Sequence, residues 1–161
     1  MKDKTIEIKL TICQPEELSK DVQRLIELAK KASTESSYAP YSHFHVGAAL
    51  RLTDGTEIIG ANQENAAFPV TICAERSAVF AAQAQHPGKA VMALAIAASD
   101  DQGQFTAEPV TPCGSCRQAI LETEQRYGQK VTIYLYGTNN VYVVNGIQQL
   151  LPLAFIDESM E

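Results

Sequence analysis

Positive charge is scarce in this chain. Thirteen Lys and Arg stand against nineteen Asp and Glu, a formal net charge of -6 over 161 residues. Neutralising phosphates takes clustered Lys and Arg, and no such cluster is present, so a non-specific grip on nucleic acid is excluded in favour of a small soluble ligand. Long apolar runs are missing as well, which excludes a helical membrane span. The polar opening MKDKTIEIK lacks the apolar core of a signal peptide, and the expected compartment is the cytoplasm. Linkers, internal repeats and low-complexity tracts are absent, and the length suits one domain around one core.

Cysteine is also sparse, with four in the chain: Cys13, Cys73, Cys113 and Cys116. In a reducing compartment, metal binding or catalysis is the better expectation for them than disulfides. Cys13 sits apart. A second Cys-x-x-Cys is lacking, and none of His43, His45 and His86 stands beside a cysteine. The four-ligand set of a structural zinc site is therefore not offered.

What is present reads as alternating strands and helices. Residues 1–14 form a charged N-terminal extension with the alternation of an edge strand in places, and residues 15–161 form a single domain. PEELSKDVQRLIELAKKA carries Leu18, Val22, Leu25, Ile26, Ala29 and Ala32 at helical spacing, with Pro15 and acidic residues at its start. FHVGAALRLTDGTEIIGANQE reads as two strands around an Asp-Gly hairpin turn. A helix on CAERSAVFAAQAQ, a strand on AVMALAIAAS, a helix on CGSCRQAILETEQRY and a strand on KVTIYLYG follow. NNVYVVN offers one more strand, and GIQQLLPLAF a short helix ended by Pro152. This alternation implies crossover connections and an α/β sheet covered on both faces.

The chemistry gathers around PCGSC. A Cys-x-x-Cys pair at a turn closes on one zinc, with each thiolate ~2.3 Å from the metal. A redox role would place the motif after the first strand of a thioredoxin-like unit, whereas here it comes late and follows Pro112. Three cysteines are the strongest ligand count, and three leave one zinc position open, as a catalytic zinc requires for its water. Glu75, two residues after Cys73, is placed to reach that position as a proton shuttle. Equally, an acidic residue there favours the first turn of a helix, and both uses are compatible. Three thiolates carry more charge than zinc offsets. Free N–H groups at two helix starts would compensate, as would Arg76, for which a surface ion pair is the alternative.

FHVGAAL, NQENAAFPVTICAER, TPCGSCRQ and LLPLAF, taken together and in this order, closely resemble the small homotetrameric cytidine deaminases that use three cysteines. The likeness runs from about Leu18 to Phe155. The related zinc-deaminase signature has a first Cys or His ligand, a non-ligating Glu two residues on, and Pro-Cys-x-x-Cys. The resemblance implies a three-layer α/β/α fold with a mixed five-stranded sheet. It also implies one Zn²⁺ per chain, held by Cys73, Cys113 and Cys116, with Glu75 as catalytic acid and base. Asn62 and Glu64 would hold the ribose 3′-hydroxyl, Phe44 would flank the substrate, and the backbone of Ala74 would face the pyrimidine edge. Phe155 would reach a neighbouring subunit's base, so that a homotetramer completes its active sites between chains. Phe68 stands where many relatives have Tyr, and Pro69 stiffens the approach to Cys73.

The implied activity is hydrolytic deamination of cytidine and 2′-deoxycytidine in pyrimidine salvage. Its rivals are a deaminase of another aminated nucleoside, such as a nucleoside antibiotic, and a non-catalytic zinc-stabilised binding module. The module would need a fourth protein ligand or the loss of Glu75.

Overall fold

The computed structural model of the chain describes residues 1–160. Strands β1 (Thr11–Cys13), β2 (His45–Leu52), β3 (Glu57–Ala61), β4 (Val91–Ser99), β5 (Thr132–Tyr136) and β6 (Val141–Asn145) form one sheet in the order β1-β6-β5-β4-β2-β3. Only β4 and β5 pair in parallel. The sheet thus has six strands, one more than the expected five, because β1 adds an antiparallel edge on β6. That edge strand lies within the N-terminal segment whose alternation suggested one.

Three α-helices cover the two faces: α1 (Lys20–Ser36) on one, α2 (Ala74–Gln85) and α3 (Gly114–Tyr127) on the other. The expected first helix is broken in two. Pro15–Glu17 makes a 3₁₀ turn, Leu18 is extended, and α1 starts afresh at Lys20 with the Ser19 hydroxyl accepting from Val22 N–H. A serine N-cap takes up one orphan donor of the first turn, and it outweighs the helical spacing of the apolar residues before it. The predicted helix on GIQQLLPLAF shortens to a 3₁₀ turn at Ile147–Gln149.

Side-chain size alternates along β4 and decides how closely each helix layer approaches. Leu94 and Ile96 meet α2 and α3, whereas Ala95 and Ala97 meet α1 together with Ala49. Small residues on that side let α1 settle against the sheet through Leu25, Ile26 and Ala29, all buried. Gly60 on β3 does the same for α2. A Cβ there would collide with the Ala74 carbonyl and lie 2.5 Å from Ala78 N. The start of α2 is therefore pressed onto the sheet at the turn that carries Cys73 and Glu75. The expected hairpin turn is present, with Gly55 at φ +86° and Asp54 Oδ1 accepting from Thr56 N–H at 3.0 Å. Glu124 of α3 braces the far end, its buried Oε1 accepting from Val131 N–H at 2.8 Å and Ile147 N–H at 2.9 Å.

Candidate active site

Two helix starts converge. Cys73 is the N-cap of α2 and Cys113 the N-cap of α3, and neither makes a side-chain capping bond. Cys116 lies in the first turn of α3 and is buried. The Cys73 and Cys113 sulfurs are 3.9 Å apart, and those of Cys113 and Cys116 3.5 Å apart. Four tetrahedral positions at a Zn–S length of ~2.3 Å stand ~3.8 Å from one another, so the three thiols already hold the spacing of zinc ligands. Among the described residues they are the one group of His, Cys, Asp or Glu gathered closely enough for a metal. Cys13 is far from them in β1, its thiol directed to the Val141 carbonyl.

The electrostatics suit a metal. Hydrogen bonding from the Cys116 thiol, and then from Arg76, lowers Cys73 to about 5, while the same bond and burial push Cys116 up. Arg76 Nη2 lies 3.7 Å from Cys73 Sγ, and its Nε is buried without a partner. A full positive charge thus sits on the thiol cluster, as a three-thiolate zinc site needs. Free backbone N–H groups at the two helix starts add to it.

A cavity of about 270 Å³ opens beside the sulfurs. Cys73, Glu75 and Cys113 line one end, and Ile96 of β4 is also part of the lining. Phe44, Asn62, Glu64 and Ser42 line the other end. Glu75 is 5% exposed, and burial, reinforced by the neighbouring Cys73 thiolate, raises its pKa above the ordinary carboxylate range. A raised carboxyl beside the thiol cluster and open to a cavity is suited to taking and returning protons.

The opposite end is more exposed and is held by polar bonds. Glu64 Oε2 accepts from Tyr41 N–H at 2.8 Å and Ser42 N–H at 3.3 Å. Hydrogen bonding to Ser42 and then Tyr41 keeps the Glu64 carboxyl below its usual range, so it faces the cavity as an anion. Asn62 is largely committed within the chain. Its Oδ1 accepts from Ser37 Oγ at 2.6 Å and from Val46 N–H at 2.8 Å, and its Nδ2 donates to the Phe44 carbonyl at 2.9 Å. One Nδ2 hydrogen is left for a ligand, so the amide offers a donor rather than the donor and acceptor together.

Six residues singled out in the sequence, Cys73, Cys113, Glu75, Asn62, Glu64 and Phe44, therefore line one cavity. Cys116 and Arg76 are outside this lining but contact it, Cys116 through the Cys113 sulfur and Arg76 through that of Cys73. Ala74 is fully buried and its side chain is outside the lining. Phe155 is 61% exposed on the C-terminal tail, where its carbonyl accepts from Gln118 Nε2, and it does not touch this chain's cavity. Phe68 is exposed and packs edge-on to Tyr41, with Pro69 inside a 3₁₀ turn at Phe68–Val70. Sequence reasoning missed Ser37, Tyr41 and Ser42, which hold Asn62 and Glu64. The segment SYAPYS that carries them shows only turn residues. His43 and His45, which are not zinc ligands, both bind Asp101.

Known proteins are similar to this chain in sequence and fold. The family model for the cytidine and deoxycytidylate deaminase zinc-binding region matches residues 19–133. A cytidine deaminase of Sporosarcina psychrophila is 41% identical over 140 residues, covering 87% of this chain and 95% of that protein. One from Halalkalibacterium halodurans is also 41% identical, covering 87% and 98%. The crystal structure of cytidine deaminase from Burkholderia pseudomallei superposes with a TM-score of 0.68 at 39% identity, covering 83% of this chain and 98% of that one. That from Mycobacterium tuberculosis gives 0.65 at 33% identity, covering 86% and 99%. With its thiol cluster, its buried glutamate and a match that spans most of its length, this chain belongs to the family defined by the cytidine and deoxycytidylate deaminase zinc-binding region.

Proposed function

We propose that this protein is a zinc-dependent cytidine deaminase that converts cytidine and 2′-deoxycytidine, with water, to uridine and 2′-deoxyuridine plus ammonia. The observation that carries the reading is the buried Glu75 beside three thiols at zinc-ligand spacing, open to a cavity on one side. Cys73, Cys113 and Cys116 would hold the metal, which when bound supplies the Lewis acidity that makes water a nucleophile near neutral pH. Glu75 accepts the proton that water loses on attacking C4 of the base and passes it to N3. It then takes the remaining proton of the new C4 hydroxyl and carries it to the amine nitrogen as the C4–N bond breaks and the C4 carbonyl forms. Arg76 and the two helix starts offset thiolate charge. The backbone of Ala74 faces the pyrimidine edge.

Phe44 flanks the base, Glu64 accepts from a ribose hydroxyl, and Asn62 donates to one. The anionic Glu64 also disfavours a phosphate at the sugar, so free nucleosides are the substrates. Phe155 and the apolar tail around it reach a neighbouring copy in a homotetramer, and the enzyme serves pyrimidine salvage in the cytoplasm. Its exposed Leu153 and Phe155 support such a crossing. The test is to incubate the purified protein with cytidine, deoxycytidine, cytosine, CMP and adenosine, follow ammonia, and measure zinc in the same sample. Turnover of the first two with one zinc per chain is expected. Preference for CMP or adenosine, or zinc-free turnover, would refute the reading.

A further inference from the structure

Asn62 is the inner end of a line of polar groups that reaches the surface at Asp101. Its amide is oriented at two points, since Oδ1 accepts from Val46 N–H and Nδ2 donates to the Phe44 carbonyl. A flipped amide would set donor against donor and acceptor against acceptor. Ser37 Oγ lies 2.6 Å from Oδ1. Because Oδ1 has nothing to donate, the serine gives it the single hydroxyl hydrogen. The same Oγ is 2.9 Å from His45 Nδ1. With its hydrogen used, the serine can only accept, so Nδ1 carries a proton. Across the ring, Nε2 is 2.8 Å from Asp101 Oδ1. A carboxylate oxygen has no hydrogen to give, so it accepts and Nε2 is protonated as well. All four partners are satisfied together only when His45 is an imidazolium.

We infer that His45 is a positioning residue for the nucleoside, whose doubly protonated ring, clamped by Asp101, turns the Ser37 hydroxyl onto Asn62. The inference rests on the reading of Asn62 as a sugar-binding group. While Ser37 donates to Oδ1, the amide is polarised and its remaining N–H is a stronger donor to the ligand. Imidazole ordinarily gives up a proton between about pH 5 and 8. Once it does, the bare nitrogen draws the serine hydrogen away from Asn62 or the bond to Asp101 is lost. Asp101 contacts the ring from the loop after β4, and His43 Nδ1 holds the other oxygen of that carboxylate at 2.9 Å. From α1 and its end come the neutral Ser33, bonded to the His45 carbonyl, and Ser37.

Asp101→Asn separates this role from a merely structural one. An amide nitrogen at that position donates to Nε2, so a neutral ring with its hydrogen on Nδ1 completes the line, and the amide oxygen still serves His43. In the zinc-loaded enzyme the KM for cytidine is expected to rise roughly threefold to tenfold from about pH 6 to about pH 8.5, the size of one ordinary hydrogen bond. In Asp101→Asn the KM should stay at the low-pH value throughout, and in Ser37→Ala at the high one. Effects of pH on proton transfer fall on kcat and are common to all three. Nitrogen NMR of the ring, assigned by loss of its signals in His45→Gln, should show two protonated nitrogens at about pH 6. A single protonated nitrogen there, or an Asp101→Asn KM that follows the wild-type pH dependence, overturns the inference. Absence of cytidine turnover would count against the substrate reading alone, because the NMR measurement still decides the state of the ring.

Discussion

The two ends of the cavity are built by different means. At the sulfur end the thiols, Glu75 and Arg76 sit at the starts of two helices, and Glu75 and Cys116 are buried. At the other end the groups sit on loops and strand ends, where Tyr41, Ser42 and Phe44 are exposed and side chain to backbone hydrogen bonds do the holding. Packing allows little adjustment to the first set, whereas a polar network lets the second set be adjusted one bond at a time. On the proposed reading, reaction chemistry belongs at the first end and substrate choice at the second.

Substitutions test this contrast. Glu75→Gln preserves shape and removes the proton carrier, so kcat should fall by roughly 10²–10⁴ while zinc content stays at the wild-type level. A near-normal rate, measured by ammonia release, would detach the chemistry from this carboxyl. Cys113→Ala should release the metal and lower the melting temperature, since whatever binds only the folded state stabilises it. Chelation of the wild-type protein should do the same, and zinc analysis beside calorimetry decides both. Glu64→Gln, at the adjustable end, should raise KM for cytidine by about tenfold or more with kcat little changed, because a hydrogen bond to a charged group contributes about 1.5–3 kcal/mol. Equal losses in kcat and KM would mean the two ends are not separable. Gly60→Ala joins the two ends of the scale. The new methyl displaces the start of α2 and should cost about 1–3 kcal/mol in denaturant unfolding, along with part of the rate. Phe68→Tyr is the mildest change, within about 0.5 kcal/mol of wild-type stability for so exposed a position.

The same contrast explains what could be read before the fold was known. Helix starts announce themselves, because cysteine, glutamate and proline at fixed spacing precede a run of apolar residues. The sulfur end was legible this way, and the hairpin at Asp54-Gly55 and the apolar strand at β4 from their own local patterns. The sixth strand was harder. Thr11–Cys13 is three residues long and mostly exposed, and its pairing with β6 spans more than a hundred positions. The break at Leu18 was hidden by Pro15 and its acidic neighbours, which imitate a helix start five residues ahead of the one that Ser19 makes. The line from Asn62 through Ser37 and His45 to Asp101 has no periodicity at all. Its members come from four separate segments, and only the folded chain brings them into a row.

The distance along the chain between the sulfurs has its own consequence for how the protein comes into being. Cys113 and Cys116 share one helical turn, so that pair exists as soon as α3 forms. The Cys73 sulfur is 40 residues upstream of Cys113. Between them, α2 must finish, β4 must enter the middle of the sheet, and the chain must return. A chain emerging from synthesis holds Cys73 long before it holds the other two, and the completed trio is a product of assembly rather than a seed for it. Metal capture then has to wait for α2, β4 and the start of α3 to come together, as the event that closes the loop between the two helix starts.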